Sequence, residues 1–357
     1  MTARAASPAV SIIMAAYNGA ALIGETLDSL AAQTFTDFEV VVVDDRSTDD
    51  TLGALRAWHD PRLPGSRLVV IAAEENGGPV RTRNRAVAAA RGRYLAALDQ
   101  DDLCRPDRLA RQVAFLDANP HVVAVGTAAD LYEDGVRRPS AYAVHTTPAL
   151  IGWLLQIENP LVWSSMMIRA DAARALDPFT RPDILYAEDF DLYHRLSRLG
   201  AVARLDEVLL DYRVHGGGAS QRFTDTMLAN ATRVLREAYA SVLGDEAPAA
   251  AALVVRHLMQ KAPVPDRAAL ATLGDVLARL QGHHFATTPC DAGDRRLIRW
   301  ETAHRWAKVA RAALRAGTIT LADALAVRPD HLGLGHAGVH QLAWSRLVGA
   351  ARQTFAA

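Results

Sequence analysis

The densest chemistry in the sequence is Asp99-Gln100-Asp101-Asp102. Three carboxylates within four residues repel one another unless a cation or several hydrogen-bond donors compensate. Mg2+ or Mn2+ is a natural partner, because such hard ions take oxygen ligands and bridge carboxylates to a diphosphate. The plain alternative is a solvated acidic loop that caps a helix ahead of Pro106. A second acidic stretch is Asp44-Asp45-Arg46-Ser47-Thr48-Asp49. Acids at a strand end can accept hydrogen bonds from a ribose or a base amide. Ser47 or Thr48 also reads as a helix N-cap, with the acids favouring the helix start.

Three further groups carry charge in a pattern. Arg81 and Arg85 stand four apart on one helix face, while Arg83 points elsewhere; Asn84 lies between them. An arginine near a helix start suits a phosphate, and a solvated face explains the same run. Glu188-Asp189, close to Asp191, opens another helix; a carboxylate there can act as general base to a hydroxyl, or simply complement the helix dipole. Tyr212-Arg213-Val214-His215 precedes Gly216-Gly217-Gly218, a loop able to close over a ligand. That glycine run lacks the lysine of a phosphate-cradling loop, and no GxGxxG or nucleophile-elbow motif is present.

These residues need a frame. Val10 to Ala15, Glu39 to Val43, Leu68 to Ala72 and Tyr94 to Leu98 are short apolar runs. Helical patterns separate them: one through Leu22, Leu27 and Leu30, one through Leu52, Leu55 and Trp58, and one from Val80 to Ala90 closed by Gly92. Continuous apolar strands alternating with helices predict a parallel sheet covered on both faces. Ligands then bind outside the carboxyl ends of the strands, where both acidic clusters fall. From about 143 to 218 the pattern is irregular and includes Trp153, Trp163, Pro160, Pro178 and Pro182. A helix there starts at Glu188-Asp189 and carries Leu192, Leu196 and Leu199. After Phe223, Ala, Leu and Arg dominate, and helices broken by Pro263, Pro265, Pro289 and Gly293 are expected.

Composition narrows the classes. The chain has 357 residues, half of them hydrophobic, with 39 Lys plus Arg against 40 Asp plus Glu. A near-neutral chain has no whole-molecule field for nucleic acid or an anionic membrane. Its two cysteines, Cys104 and Cys290, supply no disulfide framework and no zinc spacing, so a reducing cytoplasm is expected. No signal-peptide core and no run of about 18 apolar residues is read from the sequence. Arg295, Arg296, Arg299, Trp300, Arg305, Trp306 and Lys308 share a helical stretch whose tryptophans are expected to pack; an interfacial membrane helix is the other reading.

In order along the chain, several segments resemble the family-2 glycosyltransferases of the GT-A fold. They are Val10-Ser11-Ile12-Ile13 leading to Tyr17-Asn18, Gln33-Thr34-Phe35, and Val41-Val42-Val43-Asp44-Asp45-Arg46-Ser47-Thr48-Asp49. Asn76-Gly77-Gly78 with Arg83-Asn84 follows, then Gly92-Arg93-Tyr94 to Leu98-Asp99-Gln100-Asp101-Asp102. Glu188-Asp189-Phe190-Asp191-Leu192 and Tyr212-Arg213-Val214-His215 complete the set. The resemblance implies an α/β fold: a Rossmann-like, mixed and mostly parallel sheet with flanking helices over residues 8–222, and a helical C-terminal region over 223–357. Arg46 departs from the family's usual Gly or Asn.

The resemblance also implies roles. Asp45, with Tyr17, Asp44, Arg83 and Asp99, would bind the nucleotide. Asp101, Asp99 and His215 would hold Mg2+ or Mn2+. Asp189 would be the catalytic base of an inverting transfer from a nucleotide sugar, UDP by family habit. Gln100, Asp102, Glu188, Arg213 and Trp163 would lie near donor or acceptor. The acceptor would be a saccharide, a lipid-linked sugar or a small molecule, with no nucleic acid partner; peripheral membrane contact and self-association stay open. Two other readings share the architecture. The first is a non-catalytic sugar-nucleotide binder, against which the intact Asp99 and Glu188-Asp189 clusters weigh; the second is a nucleotidyltransferase, which wants a basic glycine-rich loop that Ala15 to Ala20 does not supply.

Overall fold

The computed structural model describes residues 7–63, 67–140, 145–215, 222–329 and 338–355. The chain divides into two compact units, residues 1–148 with 160–227 and residues 149–159 with 228–357.

The first unit is built on one mixed sheet. Its strands are β1 (Val10–Ala16), β2 (Phe38–Asp44), β3 (Leu68–Ala72), β4 (Tyr94–Ala97), β5 (Leu103–Cys104), β6 (Val122–Glu133), β7 (Val136–Pro139), β8 (Met167–Arg169) and β9 (Ala201–Arg213). They lie in the order β3-β2-β1-β4-β8-β6-β9-β5, with β7 paired to β6. The β3-β2-β1-β4 half is parallel, as the four apolar runs predict. Every residue of β2 is buried, and β1 is nearly so, because helices cover both faces of a parallel sheet. Beyond β4 the pairings with β8, β6 and β7 turn antiparallel, and β6 with β9 is parallel again.

Helices α1 (Ile23–Ala31), α2 (Thr51–Ala57), α3 (Gly78–Ala89), α4 (Arg108–Ala118), α6 (Ala170–Arg174) and α7 (Glu188–Leu196) connect the strands, whereas α5 (Pro148–Leu154) belongs, but for its first residue, to the second unit. α1 buries Ile23, Leu27 and Leu30, one apolar stripe at helical spacing. Between α3 and β4 the chain passes so close to β1 that a Cβ on Gly92 would sit 2.5 Å from the Ser11 nitrogen. Only glycine fits that approach.

Three expectations need correction. α2 starts at Thr51, and neither Ser47 nor Thr48 caps it. Leu199 lies past the end of α7 and is exposed. Gly293 does not break a helix; it sits in the first turn of Ala292–Ala316, which Asp291 and Asp294 cap reciprocally.

The second unit is helical. The helices Thr224–Leu243, Ala247–Val254, Arg267–Thr287 and Ala292–Ala316 pack around buried Tyr239, Leu277 and Trp306. Pro263 and Pro265 fall between helices, as does Pro289. Segment 149–159 belongs here too: Trp153 is fully buried, Tyr239 Oη donates to the Gln156 carbonyl, and Arg305 pairs with Glu158 and Glu301. Trp300 stays 44% exposed and stacks on His304, so only one of the two tryptophans is packed. By length and composition Thr224–Met259 is apolar enough to cross a membrane, a property it shares with buried helices of soluble proteins, and Asp245 and Glu246 interrupt it.

Candidate active site

The parallel half of the sheet brings both acidic clusters to one rim. Asp44 pairs in register with Ala16, and Ala97 with Ile13, so β2, β1 and β4 end side by side. One strand separates the two clusters, about 10 Å at the usual strand spacing.

At the β2 end, Asp44 and Asp45 are buried. Ser47 donates its hydroxyl to Asp44 Oδ1 at 2.5 Å and accepts from the Asn18 nitrogen at 3.0 Å. Asn18 Oδ1 in turn accepts from the Thr48 nitrogen at 2.8 Å. The residue expected to cap a helix therefore ties two strand-end loops together. Arg46, the departure noted above, takes left-handed backbone at φ 56° and donates to the Glu74 carbonyl at 2.5 Å. Asp45 accepts from the Gly77 and Gly78 nitrogens, each at 2.8 Å, and so anchors the start of α3. Each carboxylate oxygen can accept a second bond, which leaves Asp45 capacity for a base amide. Tyr17 is 46% exposed beside this loop.

At the β4 end, Gln100 bonds the Tyr17 backbone in both directions. The Asp99 nitrogen donates to Ser164 Oγ at 3.0 Å. Arg83 turns inward from α3 while Arg81 and Arg85 stay exposed. Its Nη2 donates to Asp99 Oδ1 at 3.3 Å, its Nη1 to Glu188 Oε1, and its Cζ lies 4.7 Å from the Trp163 ring centre. Burial works against the guanidinium charge, but Asp99, Glu188 and Asp189 outweigh it and raise its pKa. The start of α7 is thereby drawn to the β4 rim, with Asp189 half-buried next to Glu188. Asn84 clamps Thr180 ahead of that helix through three hydrogen bonds.

β9 supplies the remaining side. Asp101 Oδ2 and His215 Nε2 are 2.8 Å apart. Burial, then the Asp99 charge, pushes the Asp101 carboxyl up against the opposing pull of His215. Asp102 is buried, accepts from the Arg213 nitrogen at 2.8 Å, and is pushed well up by burial, Asp101 and Asp99. Arg213 spends its side chain on the Asp101 carbonyl and on Glu25 of α1, at 2.8 and 2.7 Å. Gly216, Gly217 and Gly218 lie outside the described residues.

The structure thus gathers Asp99, Arg83, Trp163, Glu188 and Asp189 on one side, and Asp101, Asp102, Arg213 and His215 on the other. Asp44, Asp45 and Tyr17 line the adjoining strand end. Ser164 and Glu25 were not foreseen; single Ser and Glu residues in unremarkable surroundings carry no sequence signal. Among the described residues no three His, Cys, Asp or Glu side chains stand ready to hold an ion. Asp101 and His215 nevertheless converge with oxygen and imidazole donors. The Asp101 carboxylate suits a cation such as Mg2+ that keeps waters and substrate phosphates in its shell, whereas His215, whose Nε2 is spent on Asp101, must leave that bond to ligate.

Comparison with known proteins bears on this arrangement. The profile described as Glycosyl transferase family 2 matches residues 11–176. The putative glycosyltransferase EpsE of Bacillus subtilis is 31% identical over 199 residues, 54% of this chain and 68% of that protein. The succinoglycan biosynthesis protein ExoO of Rhizobium meliloti is 44% identical over 118 residues; the match spans 33% of this chain but only 32% of that protein. Among solved structures, S. aureus TarS in complex with UDP-GlcNAc aligns with TM-score 0.53 and 22% identity, covering 97% of this chain and 91% of that one. Mannosyltransferase PcManGT from Pyrobaculum calidifontis, with GDP-Man and Mn2+, aligns with TM-score 0.52 and 21% identity, covering 98% and 88%. At those identities the two structures are alike in fold.

Proposed function

This chain belongs to glycosyltransferase family 2 and has the GT-A fold, and on that premise we propose that it moves a sugar from a nucleoside diphosphate to an acceptor hydroxyl with inversion. The observation that carries the reading is the Arg83 junction, which links Asp99 on the donor rim to the helix that bears Asp189. A UDP sugar is the proposed donor and a growing polysaccharide the proposed acceptor, in keeping with the UDP-GlcNAc complex and the succinoglycan relative. Free thiols at Cys104 and Cys290 agree with a cytoplasmic setting.

Each residue has a task in this reading. Asp45 accepts from the base, and the exposed Tyr17 ring covers it. Asp101 and His215, with Asp99, would hold Mg2+ or Mn2+, which neutralises the diphosphate when bound. Arg83 donates to the leaving phosphate. Asp189 removes the proton from the acceptor hydroxyl as its oxygen attacks the anomeric carbon. The bond to the diphosphate oxygen breaks on the opposite face, so one displacement inverts the centre.

The test is product analysis with UDP-GlcNAc, an oligosaccharide acceptor and Mn2+. Release of UDP with glycosylated acceptor is expected; an acceptor left unglycosylated at every Mn2+ concentration, or pyrophosphate formed from UTP and a sugar 1-phosphate in a parallel assay, would sink the reading. Asp189→Asn should lower turnover by about 10²–10⁴-fold while UDP still raises the melting temperature. Wild-type turnover in that variant removes Asp189 from the role.

A further inference from the structure

Arg83 is held from three sides by partners of different kinds. Glu188 presents a side chain only 6% exposed, and the face of buried Trp163 lies across the guanidinium. Asp99, the third partner, is 31% exposed and stands at the longer distance of 3.3 Å. Among the described residues, buried Arg83 Nε and Glu188 Oε2 meet no hydrogen-bond partner. A buried ion pair with unsatisfied atoms is a poor stabiliser of a fold; apolar residues of similar volume often do as well or better. Its use is orientation. One terminal nitrogen tied to a buried carboxylate, and a plane packed on an indole, leave the fork a single direction to face.

We propose that Glu188 and Trp163 are positioning residues that form a fixed seat for Arg83, and that the Arg83–Asp99 contact is exchanged for the donor's diphosphate. The two contacts of the fork are unequal in just this way: the buried one is fixed and the exposed one is open to competition. Phosphate oxygens accept from a guanidinium edge as a carboxylate does, so the incoming diphosphate replaces Asp99 without leaving the arginine unpaired. Asp99 is released with its charge toward the donor rim. Among the described residues, removal of the Glu188 charge leaves Asp99 as the one carboxylate bonded to Arg83, and a donor must then break that pair. This inference rests on the donor reading above.

The experiment is calorimetric titration of UDP, in saturating Mn2+, into the full chain, with melting temperatures recorded alongside. Glu188→Gln should weaken UDP at least tenfold while the melting temperature holds or rises. Glu188→Asp, which keeps the charge on a shorter arm, should recover part of that affinity and covers the case in which the amide variant does not fold. In an Asp99→Asn background the exposed competitor is gone, so the Glu188→Gln penalty should shrink. Wild-type affinity in both Glu188 variants, or strictly additive effects with Asp99→Asn, overturns the exchange alone. A wild-type chain that binds neither UDP nor GDP overturns the donor reading, and this one with it.

Discussion

The side-chain amide of Gln100 and the backbone of Tyr17 are bonded in both directions, Tyr17 N to Oε1 and Nε2 to the Tyr17 carbonyl, each at 2.9 Å. One residue of the acidic loop thereby locks the end of β4 to the end of β1, and so sets where Tyr17 stands relative to Asp99. Gly19 borders this lock: a Cβ there would fall 2.2 Å from Gln100 Oε1.

Gln100→Ala should cost about 0.5–1.5 kcal/mol of stability, the net worth of a hydrogen bond whose partners water can reach, and weaken nucleotide binding further. Gly19→Ala should act through the same amide, which swings away because it is the free end of a side chain. The double variant should then bind UDP no worse than Gln100→Ala alone. Additive losses by titration would show that Gly19 acts by another route.

Asp45 has two jobs in the proposed reading, and one substitution separates them. Asp45→Ala strips two backbone donors at the start of α3 and should cost about 1–2 kcal/mol in chemical denaturation, as lost helix caps do. Binding of UDP should fall beyond what the lost folded fraction explains. Unchanged affinity of the folded variant would reduce Asp45 to an anchor for the Gly77-Gly78 turn.

Glu39 offers a pH signature away from the site. It is buried and accepts from Ser11, from the Arg91 nitrogen and from the Arg91 guanidinium. Burial alone would raise its pKa, but these bonds outweigh it and hold the carboxyl below its ordinary value of 4.5. Its stabilisation is therefore complete above about pH 4.5 and is lost as pH falls through the lower folded-state value. Glu39→Gln should melt a few degrees below wild type at pH 7, and the gap should close on acidification. A gap independent of pH between 7 and 3 would rule out the charge as its source.

Much of the rim was legible in the sequence because apolar runs buried on both faces announce parallel strands, and strand ends announce a rim. β6 and β9 were missed for a physical reason. β9 carries Asp206 and Glu207 at its centre, β6 ends in half-exposed residues, and their pairing joins positions far apart in the chain. Ser47 shows a different failure. A hydroxyl just past a strand can bond a following helix or a neighbouring loop, and only the contact with Asn18 decides between them. Likewise nothing near Arg83 in sequence announces Glu188, 105 positions away. The arginine spacing did foretell that Arg83 would part from Arg81 and Arg85.

Residues 149–159 leave the sheet-bearing unit for the helical one before the chain returns at 160. The polypeptide therefore crosses between the two units three times, and no single cut can excise either of them. A truncation at residue 222 would remove His284, which packs on fully buried Trp153 and bonds the Ala149 carbonyl, and Tyr239, which donates to the Gln156 carbonyl. Whatever the helical unit does for catalysis, the first unit needs it, or a substitute for this excursion, in order to be a soluble fragment.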